Sequence, residues 1–151
     1  RLTGSSPLKK IYNENYNFKI GEPKKIKDGK KIILFTSGAI INEVLIANEI
    51  LRKNNIFPTI INIHSLKPIN KKNVLNFLKG HKYVVTIEEH NIIGGLGSVI
   101  SEIISETDRG YKLSRLGVKD TYSKSGSYDY LKKLHGIDSV SIAKKVKSIL
   151  K

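Results

Sequence analysis

Apolar positions along the chain change period repeatedly, and each change marks an element. Residues 31–37 form an apolar, β-branched run, the pattern of a strand buried on both faces. Residues 39–54 then place Ile40, Val44, Ala47 and Leu51 at helical spacing, with Ile41 and Leu45 beside them. The order repeats with a strand over 59–64, a helix over 71–78 and a strand over 83–88. Leu96, Val99, Ile100, Ile103 and Ile104 recur at i, i+3, i+4, i+7 and i+8, the cleanest helical stripe in the sequence. A strand over 113–118, a short helix over 128–135 and a last helix over 139–150 follow, the last capped by Asp138 or Ser139. Ahead of all these, a short strand is expected over 23–26, followed by an Asp28-Gly29 turn.

Alternating strands and helices with short loops predict an α/β fold. The expected architecture is a three-layer α/β/α sandwich around a mostly parallel, doubly wound sheet of about five strands, with one edge strand free to run antiparallel. Ligands in such folds sit outside the carboxyl ends of the strands. Residues 1–21 read as an irregular lead-in and linker, and residues 22–151 as one domain. The first residue is Arg and Met is absent throughout, so the sequence is expected to be a fragment of something longer.

Composition narrows the function classes. The apolar runs are too short to cross a bilayer, the N-terminus lacks a signal-peptide pattern, and no membrane partner is expected. Zero Cys removes disulfides, thiolate metal sites and Cys nucleophiles together. The net charge of +14 first suggests nucleic acid. However, 23 of the 27 basic residues are Lys, and they come with 23 Ile and 12 Asn, the joint composition of A/T-rich coding. Lys24-Lys25, Lys30-Lys31, Lys71-Lys72, Lys132-Lys133 and Lys144-Lys145 are scattered along the chain, so the charge reads as a solvated coat and no nucleic-acid partner is expected. Residues 83–108 stand apart, with five acids and no Lys or Arg.

That same segment holds the densest polar cluster, Glu88-Glu89-His90-Asn91, followed by Gly94, Gly95 and Gly97 at the start of the cleanest helix. Backbone N–H groups at that helix start could hold an anion. As a dinucleotide fingerprint the glycines fail, because Ile100 stands where a third glycine belongs. Glu88 and Glu89 are adjacent in a strand and point to opposite faces, which opposes an acid/base pair. His64, His81, His90 and His135 have no metal-ligand spacing, and no metal site is expected.

Residues 85–98, Val-Thr-Ile-Glu-Glu-His-Asn-Ile-Ile-Gly-Gly-Leu-Gly-Ser, closely resemble the signature of the transketolase C-terminal domain of thiamine-diphosphate enzymes. Phe18-Lys19-Ile20-Gly21, residues 32–38, residues 62–69 with their Lys67-Pro68 turn, and Leu116 to Tyr122 with Ser125-Gly126-Ser127-Tyr128 and Leu131 agree in order. The last of these is closest to the split-type, C-terminal-section transketolases. Arg1-Leu2-Thr3-Gly4 resembles the exit from a preceding pyrimidine-binding domain.

The resemblance implies one third of a larger transferase moving a two-carbon ketol unit between sugars, in carbohydrate metabolism and in the cytoplasm. Its implied partners are the pyrophosphate- and pyrimidine-binding domains of the same enzyme, a second copy in a homodimer, and a sugar phosphate. Thiamine diphosphate and Mg²⁺ are implied for the intact enzyme, held by those other domains. None is expected on this segment, which should carry no catalytic, cofactor-binding or metal residue and be inactive alone. Asp28-Gly29 with Asn54-Asn55 imitates the family's Mg²⁺ motif, but Lys27 replaces its first glycine and the pair precedes the first core strand. By the same resemblance Arg1 would touch a substrate phosphate. Glu89 and His90 would lie at a subunit interface near the active-site mouth. Gly94, Gly95 and Gly97 would serve a tight strand-to-helix turn. The same domain occurs in 1-deoxy-xylulose-5-phosphate synthase and in 2-oxoacid dehydrogenase E1 β subunits. A non-catalytic dimerisation or regulatory module is the alternative of another class.

Overall fold

The computed structural model of the chain describes residues 10–12 and 17–151. Five strands and five helices follow in order: β1 (Lys24–Lys27), β2 (Lys31–Thr36), α1 (Ile41–Arg52), β3 (Thr59–Asn62), α2 (Lys71–Leu78), β4 (His81–Asn91), α3 (Leu96–Ser105), β5 (Lys112–Val118), α4 (Tyr128–Leu134) and α5 (Ser139–Leu150). The sheet order is β1-β3-β2-β4-β5, with β1 antiparallel to β3 and every other pair parallel. The expected sandwich is present, including its antiparallel edge strand.

Each face of the sheet buries its own core. Ile32, Leu34, Ile60, Val85 and Ile87 pack with Val44, Ala47 and Leu51 of α1 and Ile142 and Val146 of α5. Ile33, Phe35, Ile61 and Val84 face the other way, against Val74 and Leu78 of α2 and Leu96, Ile100 and Ile103 of α3. A central parallel strand is thus apolar at every position because consecutive residues feed two cores.

Two boundaries differ from the sequence pattern in ways that matter. Gly38–Ile40 forms a 3-10 turn, so α1 begins at Ile41 rather than at residue 39. β4 runs to Asn91, beyond the expected end at residue 88, because its pairing with β5 resumes at Asn91 and Val118 after an irregularity past Ile87. Glu89 and His90 therefore stand on extended backbone that projects from the carboxyl edge. From β2 the chain winds outward to β3 and returns to β4 and β5 on the opposite side. The carboxyl ends of β2 and β4 consequently form the topological switch point, where doubly wound folds place their ligands.

Candidate functional site at the carboxyl ends of β2 and β4

Glu88 is 3% exposed and reaches eight residues ahead to the first turn of α3. Its Oε2 accepts the Leu96 N–H at 2.7 Å and its Oε1 the Gly97 N–H at 2.8 Å. The helix start that could have held an external anion is therefore filled by the chain's own carboxylate, which satisfies orphan donors and sits favourably in the helix dipole. The glycines make room for it. A Cβ on Gly95 would stand 1.9 Å from Glu88 Oε2, and one on Gly97 would stand 2.7 Å from Arg115 Cδ. Gly94 turns the chain at φ +77°, a conformation with little cost only for glycine. The loop is tied further by Asn91 Oδ1, which accepts from the Ile93 N–H, by Ser98 Oγ, which accepts from the Gly94 N–H, and by Arg115, which donates to the Ile92 carbonyl.

Glu89 leaves β4 on the opposite face. It is half-buried, its Oε2 lies 3.9 Å from where a Cβ on Gly38 would be, and its Oε1 is buried with no hydrogen-bond partner. Burial pushes its carboxyl above the usual range, while the Lys132 ammonium pulls the other way. Thr36, at the end of neighbouring β2 and on the face of Leu34, also buries an unpartnered Oγ1. His90 is exposed, its Nδ1 donating to the Asn91 carbonyl at 2.9 Å. Arg1 lies outside the described residues.

Sequence reasoning missed the group beside Glu89. Lys132 reads as one half of a solvated Lys pair, yet it is buried and ion-paired with Glu43 of α1 and, at 2.8 Å, with Asp129. Its ammonium also lies 4.6 Å from the centre of the Tyr128 ring. Burial alone would lower its pKa, but hydrogen bonds to Asp129 and Glu43 outweigh that and hold it above the ordinary lysine value. Glu43 accepts in addition from the Ser139 N–H at 2.8 Å, which joins α1, α4 and α5 at one corner. No local pattern signals this cluster, because Glu43 and Lys132 are 89 residues apart.

The geometry around Glu88 and Glu89 can bind, orient and brace; elsewhere among the described residues two hydroxyls sit 2.8 Å from imidazoles, Thr59 Oγ1 with His81 Nε2 and Ser123 Oγ with His135 Nε2. Among the described residues no three His, Cys, Asp or Glu side chains are placed to hold a metal, and no helix is long and apolar enough to cross a membrane.

Residues 21–142 match the model of the transketolase C-terminal domain, so the chain belongs to that family. It is 37% identical over 138 residues to a Methanocaldococcus jannaschii protein described as a transketolase C-terminal section, covering 91% of this chain and 43% of the relative. It is 36% identical to an apulose-4-phosphate transketolase subunit of Actinobacillus succinogenes, covering 94% of this chain and 46% of that relative. Among solved structures, a split-gene transketolase in the form of an inactive β4 tetramer superposes with a TM-score of 0.87 at 26% identity, covering 95% of this chain and 46% of that one. The chain thus spans just under half the length of these relatives.

Proposed function

We propose that the chain is the C-terminal section of a transketolase-type enzyme transferring a two-carbon ketol unit between sugar phosphates in the cytoplasm, and that it contributes assembly and the active-site mouth rather than chemistry. The observation that carries this reading is the likeness to an apulose-4-phosphate transketolase subunit and to a split-gene transketolase over nearly the whole chain. A 28% identical relative, the 1-deoxy-D-xylulose-5-phosphate synthase of Dictyoglomus turgidum, supports a second reading in which the donor of the two-carbon unit differs.

Thiamine diphosphate supplies the carbanion chemistry of such enzymes when bound, and Mg²⁺ its diphosphate anchor. This domain's own residues do not suit that group. The one helix start at the β4 edge with glycines before it is occupied by the Glu88 carboxylate, which would repel a diphosphate. Asp28-Gly29 and Asn54-Asn55 lie at the opposite, amino edge, where they close β1 and α1. The cofactor therefore belongs to the preceding pyrimidine- and pyrophosphate-binding domains, on this chain or another, and the domain boundary falls near residues 21–22.

Glu89 and His90, projecting from β4, face those domains or a second copy in a homodimer. An unpartnered buried carboxylate oxygen costs free energy until a donor arrives, so Glu89 fits a lysine, arginine or backbone N–H contributed on assembly. Arg1 reaches a substrate phosphate, and Gly94, Gly95 and Gly97 shape the turn behind the mouth. The test is a ketol-transfer assay of the assembled enzyme with ketose phosphate or pyruvate as donor. Turnover of the ketose phosphate upholds the first reading, pyruvate turnover the second, and neither would sink both.

A further inference from the structure

At the end of the sheet away from this site lies a cavity of about 1180 Å³, bounded by the starts of β2 and β4 and the carboxyl ends of α1 and α5. Lys30, Lys31, Lys82, Lys147 and Lys151 all line it, and none of the five makes an ion pair among the described residues. The single acid in the lining, Asp28, is already matched by Lys25 at 2.6 Å. Helix dipoles account for a lysine at the end of α5, but Lys30, Lys31 and Lys82 belong to the strand side and have no such reason to gather. A concave wall of like charge with apolar backing from Ile56 and Phe57 focuses its field on whatever enters.

The backbone adds an independent observation. Lys31 sits at φ +67°, with the Ile32 N–H bonded to the Lys30 carbonyl at 2.8 Å, a γ-turn of the strained kind. Glycine would adopt it freely, and lysine does not. Asn55 at φ +57° and Gly80 at φ +81° border the cavity too, but they follow the ends of α1 and α2, where this conformation is usual, so Lys31 is the one described non-glycine residue that is left-handed away from a helix end. Strain of this kind clusters where a side chain must be presented to a ligand.

We infer that this cavity is a binding site for a small polyanion carrying a chain of phosphates, with Lys31, Lys82 and Lys147 as its grips. The shared chemistry is the phosphate chain, whose sources are a nucleoside triphosphate or inorganic triphosphate. The site lies at the opposite edge of the sheet from Glu89, and a sugar monophosphate offers too little charge to engage all the lysines.

The experiment is calorimetric titration of the full-length protein with inorganic triphosphate, ATP and orthophosphate at about 150 mM salt, where a loose charge coat is largely screened. Triphosphate and ATP are expected to bind once per chain, and orthophosphate at least about tenfold more weakly. Equal affinity for triphosphate and ATP assigns the site to the phosphate chain alone, and tighter ATP assigns it to a nucleotide; both uphold the proposal. Lys82→Ala with Lys147→Ala should lower affinity about tenfold or more, whereas Lys144→Ala with Lys145→Ala, on the exposed face of α5, should change it less than about twofold. Lys31→Gly should weaken binding while raising Tm, a combination that damage to the fold cannot produce. Absent binding, equal losses in the α5 control, or a Lys31→Gly protein with raised Tm and unchanged affinity would each overturn the proposal. None of these readouts depends on enzymatic turnover.

Discussion

Glu88 Oε2 lies 1.9 Å from the point where a side chain on Gly95 would begin, so the acid and the glycine define each other. The carboxylate closes α3 only because residue 95 has no Cβ, and residue 95 must stay bare because the carboxylate, and the Asn91 carbonyl at 2.8 Å from the same point, are there. Gly95→Ala is therefore expected to be the most damaging of the loop's glycine substitutions, by about 3 kcal/mol or more, since it evicts a buried charge from its donors. Gly97→Ala displaces the flexible Arg115 side chain and should cost about 1–2 kcal/mol, and Gly94→Ala, in open space at φ +77°, about 1 kcal/mol. Urea unfolding of the three variants checks the order, and a Gly95→Ala protein as stable as the others would refute the capping role.

Glu89 carries the opposite expectation. Its folded carboxyl is held above the usual range, so the folded state binds a proton more readily than the unfolded chain, and ionisation opposes folding. Glu89→Gln should raise Tm of this domain at pH 7, and the gain should fade as pH falls through the raised folded value and be gone below the unfolded glutamate value of about 4.3. In the assembled enzyme the same substitution should weaken association, because the donor that completes Glu89 loses its charge partner. Thermal melts across pH, with sedimentation of the assembled form, separate the two effects.

Lys132 pairs with Asp129 within α4 and ties α4 to Glu43 of α1, whose carboxylate also accepts from the Ser139 N–H of α5. Replacing it by Met leaves Glu43 largely buried and unpaired, with an expected loss of about 2–4 kcal/mol, and adding Glu43→Gln should recover part of that. Because the folded lysine pKa is raised, this contribution is present at neutral pH and disappears only as pH climbs beyond the unfolded value of about 10.4. A double variant no better than the single would contradict the pairing.

Asp138 accepts from the Val140 and Ser141 N–H groups at the start of α5. Burial works against its charge, but hydrogen bonds from Ser141 and Val140 prevail and hold its carboxyl below the usual range. Asp138→Ala should cost about 1 kcal/mol at neutral pH, and the difference should vanish as pH falls from about 3.9 through the depressed folded value. Denaturant midpoints of the two proteins between pH 7 and pH 2 measure it.

These relationships show what was legible in the sequence. Periodicity located the five helices and the four parallel strands among the described residues, because the cores of an α/β sandwich impose period two or 3.6 on the residues that fill them. It also separated Glu88 from Glu89. It did not show that Glu88 fills the helix start, since a side chain reaching eight residues ahead leaves no periodic trace. Nor did it show the Lys132–Glu43 pair, which the tertiary fold alone creates, or the extension of β4, which depends on pairing with β5 rather than on local propensity. The basic composition reads as a uniform coat until the fold gathers five of its lysines around one cavity.

On the proposed reading, this domain supports a cofactor-bound centre that it does not contain. The most direct measurement is ketose-phosphate turnover, with thiamine diphosphate and Mg²⁺ supplied, for three samples: this domain alone, the cofactor-binding domains alone, and the two together. Turnover confined to the combined sample is the expected result. Comparable turnover by this domain alone, or by the cofactor-binding domains without it, would contradict that reading.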